Sequence, residues 1–146
     1  MILIQFLVAV LATISFAILF NAPRKEVLFC GLTGAFGWII YYIMTTQDVN
    51  KVLSSAVATL GLTLVTRVLA VTRQNPVTVY LLPGIFPLVP GAGIYYTAYY
   101  LFQGNNSMSL DKGLETLYIA GAIVFGIIFG FGIPQKWFLK LAPKQS

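Results

Sequence analysis

Residues Tyr80–Gly93 read YLLPGIFPLVPGAG and place three prolines and three glycines inside a strongly apolar run. Each proline removes a backbone donor and clashes with the preceding helical turn, and each glycine adds backbone freedom. At membrane depth, backbone groups freed in this way are tolerated only where protein buries them or a watery cavity hydrates them. The stretch therefore predicts a broken membrane helix, which is typical of the solute-binding sites of transporters.

The composition places the whole chain in a membrane. Of its 146 residues, 58% are hydrophobic and only 9% are charged, whereas a soluble domain carries about 25% charged residues. Several long apolar runs replace a single buried core, so residues 1–146 are predicted to form one transmembrane domain. The net charge is +5, but the basic residues stand singly or in pairs between apolar runs. Contact with lipid headgroups accounts for them better than nucleic-acid binding.

The residues that carry catalysis and metal binding are scarce. The chain has no histidine, one cysteine and four acidic residues, and the acidic residues lie outside or at the edges of apolar runs. Histidine is the usual metal ligand and the usual general base near neutral pH. We therefore expect no catalytic residues, no metal site and no cofactor, and predict that the chain is not an enzyme. Cys30 is predicted to be a buried structural thiol.

Apolar runs long enough to cross about 30 Å of hydrocarbon predict an all-α, polytopic membrane helical bundle. We expect about five transmembrane helices, the fourth broken at its Pro/Gly hinge. No basic residue precedes Arg24, which favours a retained first helix over a signal peptide. Residues Gln103–Gly113 are predicted to form a polar loop, and Gln135–Ser146 a short basic tail at the interface. The predicted spans are 2–20, 27–45, 52–72, 77–102 (broken near 83–93) and 114–133.

The distribution of basic residues predicts the orientation. Lysine and arginine are enriched in cytoplasmic loops, and five crossings put six of the nine basic residues on one side and two on the other, with Arg67 in the membrane. The predicted location is the plasma (inner) membrane of a prokaryote, with the N-terminus outside and the C-terminus cytoplasmic. A re-entrant fourth segment would weaken this pattern. The six residues are Arg24, Lys25, Arg73, Lys136, Lys140 and Lys144, and the two are Lys51 and Lys112.

Small residues recur at helical spacing in the second and fifth spans. Gly31, Gly34 and Gly37 stand three residues apart, and Gly126 and Gly130 stand four apart. Small residues on one face let membrane helices approach closely. These two faces are predicted to pack inside the bundle or against a partner subunit.

Hydroxyl groups line one face of the third span. Thr59, Thr63, Thr66 and Arg67 fall close to one helical face. A hydroxyl stripe that ends in a cation suits a small anionic or zwitterionic solute, because arginine pairs with carboxylates. Two structural alternatives stay open: threonine hydroxyls bond carbonyls of their own helix, and Arg67 is close enough to the membrane edge to snorkel or to pair structurally.

The broken fourth span supplies the remaining candidate site residues. Amides freed at the start of its second half would point a positive dipole end into the membrane, where a carboxylate can bind. A purely structural kink is the alternative, and Tyr99 and Tyr100 are predicted to belong to an interfacial belt. The candidate substrate or translocation residues of this span are Pro83, Gly84, Pro87, Pro90, Gly91, Gly93, Tyr95 and Tyr96.

The motif Leu82–Gly91, followed by Ile94 and Tyr95, closely resembles the signature of the threonine/serine exporter family, in its small-subunit half (YjjB-like proteins). The turn Phe20–Arg24 and the glycine run Gly31–Gly37 match the same layout. The resemblance covers nearly the whole chain. It implies a subunit that works with a second membrane protein (YjjP-like), separate or fused upstream, in the efflux of threonine and serine or of small dicarboxylates such as succinate.

The resemblance and the residues together predict one half of a two-component secondary exporter. Its expected partners are the second membrane subunit or copies of itself, the small-molecule substrate and the lipid bilayer. No carboxylate lies in the middle of a span, so a proton-coupling group is expected on the partner subunit. Two alternatives stay open: a non-transporting membrane scaffold and a homo-oligomeric channel. The sequence does not fix the solute, the coupling ion or the stoichiometry.

Overall fold

The computed structural model describes residues 1–140, which form seven α-helices and one short 3₁₀ turn with no β-strand. This confirms the all-α fold. Lys144, which the orientation prediction used, lies outside the described residues. The helices are α1 (Ile2–Leu19), α2 (Val27–Thr46), α3 (Lys51–Arg73), α4 (Thr78–Ile85), α5 (Gly91–Phe102), α6 (Asn106–Gly132) and α7 (Gln135–Leu139), and the 3₁₀ turn is Phe86–Leu88.

Four helices are long and apolar enough to cross a membrane, namely α1, α2, α3 and α6. A fifth crossing is obtained if α4, the 3₁₀ turn and α5 are counted as one span. The two parts of that span are bent by 48° relative to each other. The structure therefore has the predicted class of fold, a helical membrane bundle with one broken member. The bounds of α1, α2 and α3 lie within one residue of the predicted span ends.

Helix α6 is longer than predicted at its N-terminus, because it begins at Asn106 and not near residue 114. The side chain of Asn105 caps it by accepting a hydrogen bond of 3.2 Å from the Met108 amide. One helical turn further on, Ser109 Oγ donates to the Thr97 carbonyl oxygen at 2.8 Å, which ties α6 to α5. The loop predicted for Gln103–Gly113 is therefore wrong beyond Asn105. A capped N-terminus and packing on α5 outweigh the polarity of this segment.

Helices α3 and α6 run in the same direction. Lys51, at the start of α3, forms an ion pair with Glu115 of α6 at 3.0 Å, and Arg67, near the end of α3, contacts the Gly130 carbonyl oxygen at 2.7 Å. The chain must therefore return from one end of the bundle to the other between Arg73 and Asn106. The segment that makes this return is α4, the 3₁₀ turn and α5. We refer below to the two ends of the bundle as the Lys51 end and the Arg73 end.

Both glycine faces pack within the chain. A Cβ atom at Gly34 would overlap Thr13 Oγ1 of α1. One at Gly126 would lie 2.6 Å from the carbonyl oxygen of Ala56, and one at Gly130 would lie 2.5 Å from Thr63 Cγ2. Such distances are too short for any side chain, so these glycines allow the close approach of α1 to α2 and of α3 to α6.

Candidate functional site

The break in the fourth span is shorter than the sequence predicted. Pro83 lies inside α4, and the irregular backbone is confined to residues 86–90. Val89 is extended, with φ −60° and ψ 131°, and Pro90 is the N-cap residue of α5. The predicted interruption at 83–93 was therefore too wide, because the six residues that flank the true break keep helical geometry on both sides.

Pro83 is tolerated inside α4 because a cysteine replaces the donor that it lacks. A helical residue at position 83 would normally donate its N–H to the carbonyl of Val79. Instead, the thiol of Cys30 donates to the Val79 carbonyl oxygen at 3.2 Å. This contact gives Cys30, which is fully buried, a structural role that agrees with its prediction.

Helix α4 is held tightly between α2 and α3. Tyr80 and Pro83 are buried, and a Cβ atom at Gly84 would lie 3.0 Å from Leu62 Cδ1 of α3 and 3.7 Å from Gly34 Cα of α2. At the break, the ring of Phe86 stacks on that of Phe16 of α1, with 4.5 Å between ring centroids. The first half of the broken span is therefore a fixed part of the bundle.

Helix α5, the second half, is placed differently. It packs almost entirely against α6 and has no buried residue. A Cβ atom at Gly93 would overlap Thr116 Oγ1 of α6, which explains a glycine at this position. The broken span thus joins a buried half-helix to a peripheral one.

A cavity of about 270 Å³ lies at the Lys51 end, where α5 begins. We call it the hinge cavity. Three predicted site residues, Pro90, Gly93 and Tyr96, line it. Further lining residues, none of which was predicted as a site residue, are Tyr41, Lys51, Lys112, Glu115 and Thr116.

The hinge cavity carries an excess of positive charge. Glu115 accepts from Lys51 at 3.0 Å and from Lys112 at 2.9 Å, so one carboxylate faces two ammonium groups. Ala92 and Gly93 also line the cavity. Their amides make no backbone hydrogen bond, because the first bond of α5 runs from Ile94 to Pro90. These free amides add the positive end of the helix dipole. The cavity is therefore suited to a small solute that carries a carboxylate.

Two other candidate residues of α5 lie outside this cavity lining. Gly91 is exposed, and a Cβ atom there would meet nothing within 4 Å. Tyr95 is 62% exposed and stacks on Tyr99 with 6.0 Å between ring centroids. Pro87 is half-buried in the break itself. The structure thus gathers Pro90, Gly93 and Tyr96 and does not bring Tyr95 to them.

The hydroxyl stripe of α3 lies in the interface with α6. Thr59, Thr63 and Thr66 are fully buried, and each donates to a carbonyl oxygen of its own helix, at 2.6, 2.8 and 2.8 Å respectively. This geometry is the first structural alternative that the sequence left open. A role of these three residues in translocation stays a prediction.

Arg67 lies at the opposite end of the bundle from the hinge cavity. It is only 5% exposed, and its Nη1 donates to the carbonyl oxygens of Gly130 and Ile133, both at 2.7 Å. Its guanidinium group also lies 4.2 Å from the ring centroid of Phe138. Arg67 therefore caps the C-terminus of α6, where a cation is favourable.

Arg67 also borders a second cavity, of about 220 Å³, at the Arg73 end. We call it the Arg67 cavity. Its lining includes Asn75, Gln135 and Phe138. The predicted site residues therefore occupy two separate places, with Arg67 at one end and Pro90, Gly93 and Tyr96 at the other.

A buried ionic cluster connects three segments at the Arg73 end. Glu26, only 6% exposed, accepts from Arg73 Nε at 2.5 Å and Nη2 at 3.0 Å. It also accepts from the Tyr80 hydroxyl at 2.8 Å. The hydrogen bond from Arg73 lowers the pKa of Glu26 below its ordinary value of 4.5, although burial acts in the opposite direction. The cluster fixes α4 to the α1–α2 turn and to the end of α3.

Sequence reasoning missed two groups of polar residues. Glu26 stands in a charged turn of the sequence, and only its proximity to Tyr80 and Arg73 in the fold reveals the cluster. Lys112 and Glu115 fall in or beside the predicted loop, so their i, i+3 spacing on a helix went unused. That spacing is the signal that was present in the sequence.

A bundle of membrane helices in which one span is broken beside a charged cavity is an arrangement typical of the solute-binding sites of membrane transporters. The family model described as "Threonine/Serine exporter, ThrE" matches residues 5–131. The chain belongs to the threonine/serine exporter family, as its motifs predicted.

Two curated proteins are distantly similar in sequence to this chain. A Haemophilus influenzae protein described as uncharacterized is 25% identical over 154 residues, covering 97% of this chain and 49% of the relative. A Mycobacterium tuberculosis protein described as "Probable threonine/serine exporter" is 24% identical over 124 residues, covering 84% of this chain and 23% of the relative. The chain therefore spans about half the length of the first relative and about a quarter of the second. No solved structure matches the chain.

Proposed function

We propose that this chain is one half of a two-component secondary exporter for small amino acids such as threonine and serine, or for small dicarboxylates such as succinate. Family membership supports export of a small amino acid. The lengths of the two relatives, which extend well beyond the aligned region, support a second functional half. That half is a second membrane subunit or a fused domain.

The single observation that carries the proposal is the break at residues 86–90, which joins a fixed half-helix to a peripheral one beside the hinge cavity. Free amides at the start of α5 and the two lysines that share Glu115 favour a carboxylate. Thr116 and the Tyr96 hydroxyl supply polar groups for the rest of an amino acid. In this proposal the solute binds in the hinge cavity, and movement of α5 about the break changes its access.

The proposed orientation places the Arg73 end in the cytoplasm of a prokaryotic cell. Arg24, Lys25 and Arg73 lie at this end, and Lys136 and Lys140 follow α6 there, whereas Lys51 and Lys112 lie at the other end. Lysine and arginine mark the cytoplasmic side. The hinge cavity then opens toward the outside, as the exit of an exporter should.

Proton coupling is proposed to depend on the second half of the exporter. The buried carboxylate of this chain, Glu26, is held ionised by Arg73, and its pKa is lowered. A group that stays ionised at neutral pH is a poor proton carrier. The other acidic side chains, Asp48, Asp111 and Glu115, are exposed or half-buried toward the Lys51 end.

The test is threonine and succinate efflux from cells that lack this chain and its partner gene. The chain alone, the partner alone and both together are expressed, and intracellular solute is measured after loading. We expect efflux only when both are present. Lys112→Ala should reduce it, because it removes a cation from the hinge cavity, whereas Lys25→Ala, in the α1–α2 turn, is the matched control.

Two results would contradict the proposal. Unchanged efflux in Lys112→Ala and in Tyr96→Phe, at equal amounts in the membrane, would exclude the hinge cavity as the solute site. Efflux driven by a pH gradient in vesicles that contain only the purified chain would show that the second half is not needed.

A further inference from the structure

Arg67 is a buried cation without a carboxylate partner among residues 1–140. The ion pairs of the described residues involve Lys51, Arg73 and Lys112. Removing a charge from water is costly unless other groups compensate it, and an ionisable residue within a membrane helix usually marks a function. Carbonyl dipoles at the end of α6 compensate Arg67 only in part.

The cap of α6 uses only one edge of the guanidinium group. Nη1 donates both of its hydrogens, to Gly130 and Ile133. Nε and Nη2 carry three more N–H donors, and these donate to no described residue. No buried side-chain nitrogen or oxygen of the described residues lacks a partner, so Nε and Nη2 are accessible to water or to a ligand.

The unused donors belong to a side chain that borders the Arg67 cavity. Its volume of about 220 Å³ accommodates a small anion, and Phe138 lies against the guanidinium group at 4.2 Å, which holds it in place. The Asn75 side-chain nitrogen donates to the Arg73 carbonyl and the Tyr80 hydroxyl. Its oxygen can only accept, so an anion in this cavity would find a side-chain amide donor at Gln135 and not at Asn75.

We propose that the Arg67 cavity binds one oxyanion on Nε and Nη2 of Arg67. The arginine fork matches the two oxygens of a carboxylate or of a phosphate. The anion is therefore the carboxylate of a small solute or the phosphate of a lipid headgroup. If it is a transported solute, this site is a second binding place at the Arg73 end, and only that assignment depends on the proposed export function.

The test measures binding and not transport. The full-length protein, in micelles with neutral headgroups, is heated with succinate, L-threonine or inorganic phosphate, each compared with sodium chloride at equal ionic strength. Phosphatidylglycerol added to the micelles is compared with phosphatidylcholine. A ligand that binds the folded protein raises its Tm, so affinities follow from the dependence of Tm on concentration.

The decisive pair of variants is Gln135→Glu and Gln135→Leu. The first places a competing carboxylate at the wall of the cavity, and the second removes the same amide without adding charge. We expect Gln135→Glu to weaken anion binding by about tenfold or more, because the new carboxylate repels the anion and competes with it for the guanidinium group of Arg67. Gln135→Leu should stay within about threefold of the wild type. Arg67→Met should abolish binding, and the Gln135 pair carries the test if that variant does not fold.

The outcomes separate the sources of the anion. Protection by succinate or threonine that Gln135→Glu weakens identifies a solute site, and protection by phosphatidylglycerol alone identifies a lipid site. Protection by no anion, or equal protection in Gln135→Glu and Gln135→Leu, overturns the proposal. Anion binding by a protein that exports nothing would leave this site standing and refute the export function alone.

Discussion

The thiol of Cys30 in α2 lies 3.2 Å from the carbonyl oxygen of Val79 in α4, the carbonyl that the ring of Pro83 leaves without its helical donor. A side chain from a neighbouring helix thus replaces a missing backbone hydrogen bond. Such replacement matters most in a membrane, because lipid offers no other partner. It explains how a proline can lie in the buried half of the broken span without disrupting it.

This relationship predicts that Cys30 and Pro83 are energetically coupled. Cys30→Ala should destabilise the wild-type protein, and it should destabilise the Pro83→Ala variant less, because an alanine introduced there supplies the N–H that the Val79 carbonyl needs. The expected coupling energy is about 0.5–1 kcal/mol, since the thiol is a weak donor. Unfolding of the two single variants and the double variant in detergent measures it. Additive effects would show that the thiol contact contributes nothing beyond packing.

The close approach of α3 and α6 predicts opposite effects for alanine at two glycines of α6. Gly130→Ala should destabilise the protein by about 1–3 kcal/mol, because the new Cβ atom would lie 2.5 Å from Thr63 Cγ2. Gly121→Ala should be neutral or stabilising by up to about 1 kcal/mol, because nothing lies within 4 Å of that position. Thermal unfolding in one detergent compares them. Equal effects would argue against this helix interface.

The cluster around Glu26 predicts a specific dependence of stability on pH. Because the pKa of Glu26 in the folded protein lies below its ordinary value of 4.5, its contribution is complete above about pH 4.5. That contribution is lost as the pH falls through the folded pKa. Glu26→Gln should lower the free energy of unfolding at pH 7 by about 1–2 kcal/mol, since the Arg73 side chain is one-third exposed and water screens the pair. It should also flatten the acid limb of the stability curve.

The control for this prediction is Asp48→Asn, which changes an exposed acidic residue with a left-handed backbone (φ 57°) that asparagine also accepts. Its Tm should differ little from that of the wild type, both at pH 7 and on the acid limb of the stability curve. An unchanged acid limb in Glu26→Gln would mean that another carboxyl group governs stability at low pH.

The break predicts that replacing one of its prolines by alanine reduces transport. Pro90→Ala restores an N–H that can bond the carbonyl of Phe86, and it removes the proline that favours the extended conformation of Val89. A proline inside a helix costs about 3 kcal/mol, so its removal should shift the segment toward a continuous helix and reduce efflux by about tenfold or more. Pro76→Ala, in the turn before α4, is the matched control. Efflux and the amount of protein in the membrane are measured together.

The sequence predicted that the helices and the break exist, because both depend on local properties, but it predicted the break too wide. Apolar runs of spanning length indicated α1, α2 and α3, and prolines marked the irregular segment. The start of α6 was not predicted, because the cap by Asn105 and the contact of Ser109 with Thr97 act across a turn. Polar residues in that segment suggested a loop.

The candidate site was predicted less completely, because it depends on which residues meet. Gly93 and Tyr96 were found from their distance to the break, and both line the hinge cavity. Lys51 and Lys112 reach the same cavity from α3 and α6, and no local pattern joins them. For Arg67, the sequence left open a structural role and a role in binding a solute. Only the fold shows that one edge of its guanidinium group caps α6, while the other edge donates to no described residue.

The peripheral position of α5 has a mechanical consequence. Because α5 has no buried residue and packs almost entirely on one neighbour, displacing it exposes little of the interior formed by α1, α2, α3 and α4. Residues 86–90 thus join the closely packed helices α1, α2, α3 and α4 to a helix, α5, that packs mainly on α6. Under the proposed function, a solute or a second subunit that displaces α5 would change access to the hinge cavity and leave the packing of α1, α2, α3 and α4 intact.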